Sequence, residues 1–193
     1  MGDHGEGIDP RWRRVIVVGC SGSGKTEFSC RLAERLGSAH VEIDAVYWLP
    51  DWGTRDPEEF RTAMRREVMR EFWVVEGNYN QVRDIVWTAG SSIVWLNYPF
   101  PLVIIRVFRR TVRRILRREA LFGGNRETFL KSFFSTESIL WWVVKTFRPL
   151  RRRYRTFFDS EVFPHLTRVE FRRPSEAEKF LEEQLTLNRG ELR

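Results

Sequence analysis

The sequence feature that most constrains this chain is the octapeptide Gly-Cys-Ser-Gly-Ser-Gly-Lys-Thr at residues 19–26. It matches the pattern G-x-x-x-x-G-K-S/T, with a β-branched run before it at 15–18 and a helical pattern after it at 25–36. Its glycines let consecutive N–H groups turn toward one centre, where the following helix directs the positive end of its dipole. The segment is predicted to bind a nucleotide, although a Gly/Ser turn can also form without one.

The polar residues of this loop have separate expected roles. Lys25 would reach the β- and γ-phosphates, and the hydroxyl of Thr26 would hold Mg²⁺. ATP and Mg²⁺ are therefore the expected cofactors. The residues predicted to contact the nucleotide are Gly19, Ser21, Gly22, Ser23, Gly24, Lys25 and Thr26.

Strand and helix patterns alternate along the rest of the chain. Strands are expected at 13–18, 40–44, 72–75, 92–96 and 166–171, and helices at 25–36, 57–71, 100–120, 127–158 and from 174 onward. This alternation predicts an α/β fold, a three-layer α/β/α P-loop NTPase with a five-stranded parallel sheet. The 193 residues suffice for one domain, expected at 11–185 between disordered tails at 1–10 and 186–193.

Composition narrows the classes of partner and location. The net charge of +7 and pI of about 10.0 imply an anionic partner, and nucleotides, nucleic acid and membrane surfaces all qualify. The sequence has no uncharged apolar run of about 18 residues and no signal-peptide pattern, so we expect a soluble, cytoplasmic protein without a transmembrane segment. Cys20 and Cys30 are expected to remain thiols. The three histidines are scattered along the chain, which argues against a zinc site.

Ligands of open parallel sheets bind beyond the carboxyl ends of the strands, where this chain carries Asp44, Glu76 and Asn97. Glu76 follows Phe-Trp-Val-Val, the pattern of a Walker-B-like strand, and is predicted to order Mg²⁺ with Thr26. An ordinary solvated carboxylate is the alternative. Asp44, with the aromatic residues that follow it, could hydrogen-bond and stack an acceptor, although single aromatic side chains more often serve packing.

A helix with one apolar face and one arginine-rich face is predicted after Pro99. Arginine binds phosphate in a planar, bidentate geometry, and arginines facing the P-loop would neutralise the charge that develops in phosphoryl transfer. A solvated basic face is the alternative for most of them. A second basic cluster follows in the sequence, and the two clusters lie on either side of Gly123-Gly124. This arrangement predicts a small, mobile helical lid at about 118–130. The first cluster comprises Arg106, Arg109, Arg110, Arg113, Arg114, Arg117 and Arg118, and the second Arg148, Arg151, Arg152, Arg153 and Arg155.

Over residues 13–172 the chain resembles the adenylate-kinase-like P-loop family of the DNA topology modulation (FlaR-like) type. Besides the P-loop, the resemblance rests on Ile-Asp-Ala-Val-Tyr-Trp at 43–48, Glu-Gly-Asn-Tyr at 76–79, Trp-Leu-Asn-Tyr-Pro at 95–99 and Gly-Gly-Asn-Arg-Glu at 123–127. It implies the fold of nucleoside monophosphate kinases, with an acceptor-binding segment after the second strand and an arginine-bearing lid.

The resemblance also implies residue roles. Arg106 and Arg110, seven and eleven positions after the proline that follows the fourth strand pattern, would contact the nucleotide and its phosphates. Arg126 in the lid, with Arg148 and Arg152 after it, would contact the transferring phosphoryl group. The residues expected around the acceptor are Asp44, Tyr47, Trp48, Asn78, Tyr79 and Arg83.

Two departures from the family pattern affect these expectations. Relatives usually carry Asp after the third and fourth strands, whereas this chain has Glu76 and Asn97, which leaves Glu76 as the expected metal-ordering carboxylate. The Gly-Phe-Pro-Arg turn that adenylate kinases use against AMP is replaced by Gly-Asn-Tyr-Asn at 77–80, with Arg83 as the nearest guanidinium. AMP is therefore not the expected acceptor.

The leading hypothesis is an ATP-dependent kinase that transfers the γ-phosphoryl group to an unidentified small acceptor, with a nucleoside monophosphate as one candidate. Asp44 would orient or deprotonate the acceptor hydroxyl. A nucleic-acid-binding regulatory ATPase is the alternative, which the pI and arginines suggest but the lack of any nucleic-acid-binding signature disfavours. A third hypothesis is association with anionic lipid through 148–155 next to Trp141-Trp142, although a buried helix is more typical of this pattern.

Overall fold

The computed structural model describes residues 9–117 and 139–190. Five parallel strands form one sheet in the order β2-β3-β1-β4-β5. This arrangement confirms the predicted α/β fold with a five-stranded parallel sheet. The strands are β1 Arg14–Gly19, β2 Ala39–Glu42, β3 Trp73–Glu76, β4 Ser92–Leu96 and β5 Thr167–Phe171.

Helices connect the strands and cover both faces of the sheet, and the first of them matches its predicted limits. It ends at Gly37, which has a φ of 58° and whose N–H donates to Ala33 and Glu34. The helices are α1 Lys25–Leu36, α2 Ile43–Tyr47, α3 Pro57–Val68, α4 Arg83–Ala89, α5 Phe100–Arg117, α6 Ile139–Phe158 and α7 Pro174–Gly190, with 3-10 turns at Pro10–Trp12, Pro50–Trp52 and Asn80–Val82.

The core lies on both sides of the sheet because alternate residues of the central strand β1 point in opposite directions. Val15 and Val17 pack in one cluster with α1, α5 and α7, and Ile16 and Val18 pack in the other with α3 and α4. The helix α6 contributes to both clusters, through Phe147 to the first and through its C-terminal half to the second. These layers make a three-layer α/β/α fold. Within residues 9–117 and 139–190, no helix is long and apolar enough to cross a membrane.

The structure corrects several predicted element boundaries, by one residue in β1, β3 and β5 and by more at the ends of β2 and α3. Asp44 does not end the second strand but lies in the one-turn helix α2, because β2 stops at Glu42, opposite the last residue of β3. The helix α3 ends at Val68 instead of 71. The chain must reverse direction before β3 begins, where the N–H of Trp73 donates to the carbonyl oxygen of Arg13, next to β1. The helix α7 continues to Gly190 because no glycine or proline interrupts it earlier. The domain limits of 11–185 stay a prediction. The predicted lid at 118–130 lies outside the described residues.

Candidate active site

The P-loop is held in shape by its contact with α5. Gly22 has a φ of 85°, and a Cβ atom there would lie 2.3 Å from Cγ2 of Val107 and 2.9 Å from the carbonyl oxygen of Val103. Both valines are fully buried. Only glycine fits this position, since it tolerates the left-handed backbone and allows the helix to approach the loop.

Two arginines of α5 reach the P-loop. Nη1 of Arg106 donates to the carbonyl oxygen of Ser23 at 3.3 Å, and Nη2 of Arg110 donates to Oγ of Ser21 at 3.3 Å. The Arg106 guanidinium also lies 5.5 Å from the ring centroid of Tyr98. Burial raises the pKa of Tyr98 to about 12 although Arg106 lowers it, so Tyr98 is a neutral partner for this cation near neutral pH. The two positions named by the family resemblance therefore meet the loop.

The residues expected to hold phosphate and metal also come together. Nζ of Lys25 donates to the Cys20 carbonyl oxygen at 3.4 Å, so the lysine curls over its own loop. Oγ1 of Thr26 donates to Oε1 of Glu76 at 2.5 Å, and Glu76 is buried, with 4% of its surface exposed. Oγ of Ser23 is buried without a hydrogen-bond partner among the described residues. A hydroxyl beside a carboxylate fits Mg²⁺, and an unpartnered hydroxyl in the loop fits a phosphate oxygen.

Sequence reasoning missed two further groups beside this pair. Glu42 pairs with Glu76 in the β2/β3 register, and His40 precedes Glu42 by two residues on the same strand face. Burial raises the pKa of the Glu42 carboxyl, and the neighbouring Glu76 and Asp44 raise it further. Burial lowers the pKa of His40, although Glu76 raises it. The Glu-x-Asp spacing of Glu42 and Asp44 at a strand end was the available sequence signal.

Asp44 and Tyr79 form a second polar pair. The hydroxyl of Tyr79 donates to Oδ1 of Asp44. Burial raises the pKa of Tyr79 well above its usual range, and the charge of Asp44 adds to the effect, so the phenol remains a donor. The ring of Tyr47 lies 4.8 Å from that of Tyr79 and 5.1 Å from that of Trp48. Of the predicted acceptor residues, Tyr47, Trp48 and Tyr79 thus pack in one aromatic group, and Tyr79 connects this group to Asp44.

Asn78 has a more internal position than its predicted role suggests. Its Nδ2 donates to the Gly19 carbonyl oxygen at 2.7 Å, and its Oδ1 accepts from the Gly19 N–H at 3.3 Å and from the Tyr154 hydroxyl at 2.8 Å. This amide connects the start of the P-loop to α6. Beyond it, a small cleft is lined by Tyr79 and by the exposed residues Arg83 and Arg153.

Three more arginines predicted to contact the phosphoryl group follow α5 in the chain. Arg126 lies outside the described residues, and Arg148 and Arg152 are exposed on α6. A different arginine of α6 contacts the strand ends, since Arg155 donates two hydrogen bonds to Glu170 of β5, at 2.7 and 3.0 Å.

Asn97, which follows β4, joins the same cluster. Its Nδ2 donates to Oε1 of Glu170 at 2.6 Å. Although burial raises the pKa of Glu170, hydrogen bonds from Arg172, Arg155 and Asn97 lower it to about 2. Glu170 is therefore ionised at neutral pH and fixes the side chain of Asn97 at the edge of the sheet.

The fold and the loop geometry define a class, the P-loop kinase fold, and comparisons with known proteins agree. The structure is similar to shikimate kinase from Bacteroides thetaiotaomicron, with a TM-score of 0.50 and 14% identity over 91% of this chain and 98% of that chain. At this identity the likeness shows the fold alone.

No family model matches the chain, but several known proteins are similar to it in sequence. The uncharacterized protein YqaC of Bacillus subtilis is 25% identical over 129 residues, which cover 66% of this chain and 72% of YqaC. Shikimate kinase of Synechococcus elongatus is 28% identical over 120 residues, which cover 55% of this chain and 63% of that enzyme. The narrower resemblance to the adenylate-kinase-like family stays a prediction.

Proposed function

We propose that this protein is an ATP-dependent kinase that transfers the γ-phosphoryl group of ATP to a hydroxyl group of a small acceptor. The observation that carries the proposal is the juxtaposition of two polar pairs beside the P-loop. The pair of Thr26 and Glu76 suits a metal-bound phosphate, and the pair of Asp44 and Tyr79 suits a hydroxyl nucleophile.

On the nucleotide side, the protein supplies positive charge and fixed geometry. Lys25 leaves the Cys20 carbonyl to neutralise the β- and γ-phosphates, and Arg106 and Arg110 are close enough to the loop to contact phosphate oxygens. Mg²⁺, held by Thr26 with Glu76 beside it, would neutralise charge on the phosphate oxygens. Electrostatic stabilisation of this kind is the main contribution of a protein to phosphoryl transfer.

On the acceptor side, Asp44 is the group that handles the proton. Tyr79 occupies one oxygen of the Asp44 carboxylate, which leaves the other to accept a hydrogen bond from the acceptor hydroxyl. As the acceptor oxygen bonds to the γ-phosphorus and the bond to the ADP oxygen breaks, Asp44 takes the hydroxyl proton. With a phosphate acceptor, no base is needed and Asp44 would only position the substrate.

The charge around the cleft narrows the acceptor class. The exposed guanidinium groups of Arg83 and Arg153 lie at the narrow cleft that Tyr79 also lines, so an acceptor with an anionic group in addition to its hydroxyl would meet positive charge beside Tyr79. The sequence likeness to a shikimate kinase is consistent with an alcohol as acceptor. The sequence Gly-Asn-Tyr-Asn at 77–80 continues to disfavour AMP.

The alternative of a nucleic-acid-binding ATPase has less support. Although Arg109, Arg113 and Arg117 are exposed on α5, Arg106 and Arg110 are directed at Ser23 and Ser21 of the loop. Their positions fit the stabilisation of phosphate inside the site.

The test is ADP formation from ATP and Mg²⁺ with a panel of hydroxy acids, sugars, polyols and nucleoside monophosphates. We expect acceptor-dependent turnover that falls at least about a hundredfold in Lys25→Ala and in Asp44→Asn, since general base catalysis alone contributes about 10²–10⁴-fold. Asp159→Asn, which changes an exposed carboxylate at the end of α6, is the matched control and should keep normal turnover. ATP hydrolysis that no acceptor stimulates, combined with salt-sensitive DNA binding, would refute the kinase and favour the alternative.

A further inference from the structure

We propose that His40, Glu42 and Glu76 form a binding site for a divalent transition-metal ion that fills without nucleotide and is distinct from the ion at Thr26. A ring nitrogen of His40 and one carboxylate oxygen of each glutamate lie within 4.8 Å of one another. The scattered positions of the histidines in the sequence argued against a zinc site. The strand pairing of the tertiary structure brings one of them beside two carboxylates.

The backbone fixes the directions of all three side chains. His40 and Glu42 are two residues apart on β2 and so share a face of the sheet, and Glu42 pairs with Glu76 of β3. Three donors that surround one ion in a tetrahedral or trigonal arrangement, with bonds of about 2.0–2.2 Å, are about 3.3–3.8 Å apart. The side chains of the observed cluster, whose donors lie within 4.8 Å of one another, would therefore close by at most about 1–1.5 Å to surround one ion.

The cluster also contains polar atoms that are available to bind a ligand. Nε2 of His40 is buried and has no hydrogen-bond partner among the residues the structure describes. Buried polar atoms normally have a partner, and a bound cation would give this nitrogen one. Glu76 is 4% exposed and offers a second oxygen besides the one that accepts from Thr26.

The local charge favours a cation. Glu42, Asp44 and Glu76 interact electrostatically, and Arg114 of α5 offsets part of the negative charge at Glu42. Like charges that share a half-buried site repel one another, and a bound dication removes this repulsion.

The donor set selects the type of ion. Oxygen-only sites suit Mg²⁺, whereas an imidazole nitrogen shifts the preference toward Mn²⁺, Co²⁺ or Zn²⁺. No cysteine sulfur belongs to the cluster formed by these described residues, so a thiolate site is not the match. Because Glu76 faces both Thr26 and His40, the two ions would lie side by side, as in two-metal sites about 3.5–4 Å across.

The experiment is a titration of the nucleotide-free, full-length protein with Mn²⁺, in which the loss of the free-ion electron paramagnetic resonance signal measures binding. We expect one equivalent to bind, and His40→Ala and Glu42→Gln each to weaken binding at least about tenfold, since each removes one of three protein ligands. Thr26→Ala should bind within about threefold of the wild type, because Thr26 is not a ligand. Glu27→Gln changes a neighbouring carboxylate outside the cluster and is the matched control.

A spectroscopic readout identifies the ligand directly. In protein labelled with ¹⁵N-histidine, electron spin-echo envelope modulation of bound Mn²⁺ should show a coordinated imidazole nitrogen, and His40→Ala should abolish it. Bound Mn²⁺ without this coupling, or binding that Thr26→Ala removes and Glu42→Gln leaves intact, would overturn the proposal. If His40→Ala does not fold, as judged by circular dichroism, the near-isosteric Glu42→Gln and the wild-type coupling still decide. Neither ATP nor an acceptor is present, so failure here is separate from failure of the proposed kinase.

Discussion

Replacing Gly22 with alanine should have two effects: it should loosen the packing of the P-loop against α5, and it should weaken ATP binding. The new Cβ atom would lie 2.3 Å from Cγ2 of Val107 and 2.9 Å from the Val103 carbonyl oxygen. Carbon atoms in contact are normally about 3.5–4.0 Å apart, so the helix must withdraw by about 1 Å. Val107 cannot simply turn away, because it is fully buried and β-branched side chains have restricted rotamers.

Gly37 offers a matched control for the magnitude. It also has a positive φ, of 58°, but nothing lies within 4 Å of its hypothetical Cβ atom. Gly37→Ala should therefore lower the free energy of unfolding only by the backbone cost of about 1 kcal/mol. Gly22→Ala carries a similar backbone cost plus about 1–3 kcal/mol of overpacking, and we expect a loss of about 3 kcal/mol.

The two variants should differ more in ligand binding than in stability. If α5 withdraws in Gly22→Ala, Arg106 and Arg110 lose their contacts with the loop. We expect ATP affinity, measured by equilibrium dialysis, to fall at least about tenfold in Gly22→Ala, since each charge-assisted hydrogen bond contributes about 1.5–3 kcal/mol. Gly37→Ala should keep wild-type affinity. Equal losses of unfolding free energy in urea for the two variants would refute the argument that the contact with α5 dictates glycine at position 22.

Two further predictions concern the side chains that connect strands around the loop. Because the folded-state pKa of Glu170 is about 2, below its usual 4.5, its stabilising effect is present above pH 4.5 and is lost as the pH falls through 2. Glu170→Gln should lower the free energy of unfolding near pH 7 by up to about 3 kcal/mol, a loss that solvent screening at the exposed arginine partner reduces to about 2 kcal/mol. In urea unfolding between pH 5 and 3, the stability of this variant should depend less on pH than that of the wild type. Glu178→Gln, which changes an exposed ion pair, is the control and should lower the free energy of unfolding by less than about 1 kcal/mol. A steeper or unchanged pH slope in Glu170→Gln would contradict the lowered pKa of Glu170. Asn78→Ala should lower the free energy of unfolding in urea by about 2–3 kcal/mol, because it leaves the backbone N–H and carbonyl groups of Gly19 unpaired. The control Asn80→Ala, whose side chain accepts an exposed hydrogen bond, should show no comparable loss.

Much of the fold and half of the site could be read from the sequence. The strand β4 and the helix α1 have their predicted limits, and the spacing of Arg106 and Arg110 placed both on the face of α5 that meets the P-loop. These features depend on patterns over a few neighbouring residues, such as the β-branched run, the helical period and the glycines of the loop.

The contacts between residues that are distant in the sequence could be identified only from the tertiary structure. The amide of Asn78 pairs with Gly19, 59 positions away, and Glu170 accepts from Asn97, 73 positions away. His40 and Glu42 meet Glu76 only because β2 and β3 are neighbours in the sheet and have this register.

The sequence by itself therefore determined the local elements, the phosphate-binding loop and the class of chemistry, because backbone preferences and motif spacing act within a few residues. The tertiary structure decided which side chains share a site. Strand order and register are set by the packing of whole layers, and a shift of one residue in β2 would turn His40 and Glu42 to the opposite face. The cluster of His40, Glu42 and Glu76 and the hydrogen bonds of Asn78 depend on that packing, because their partners are distant in the chain.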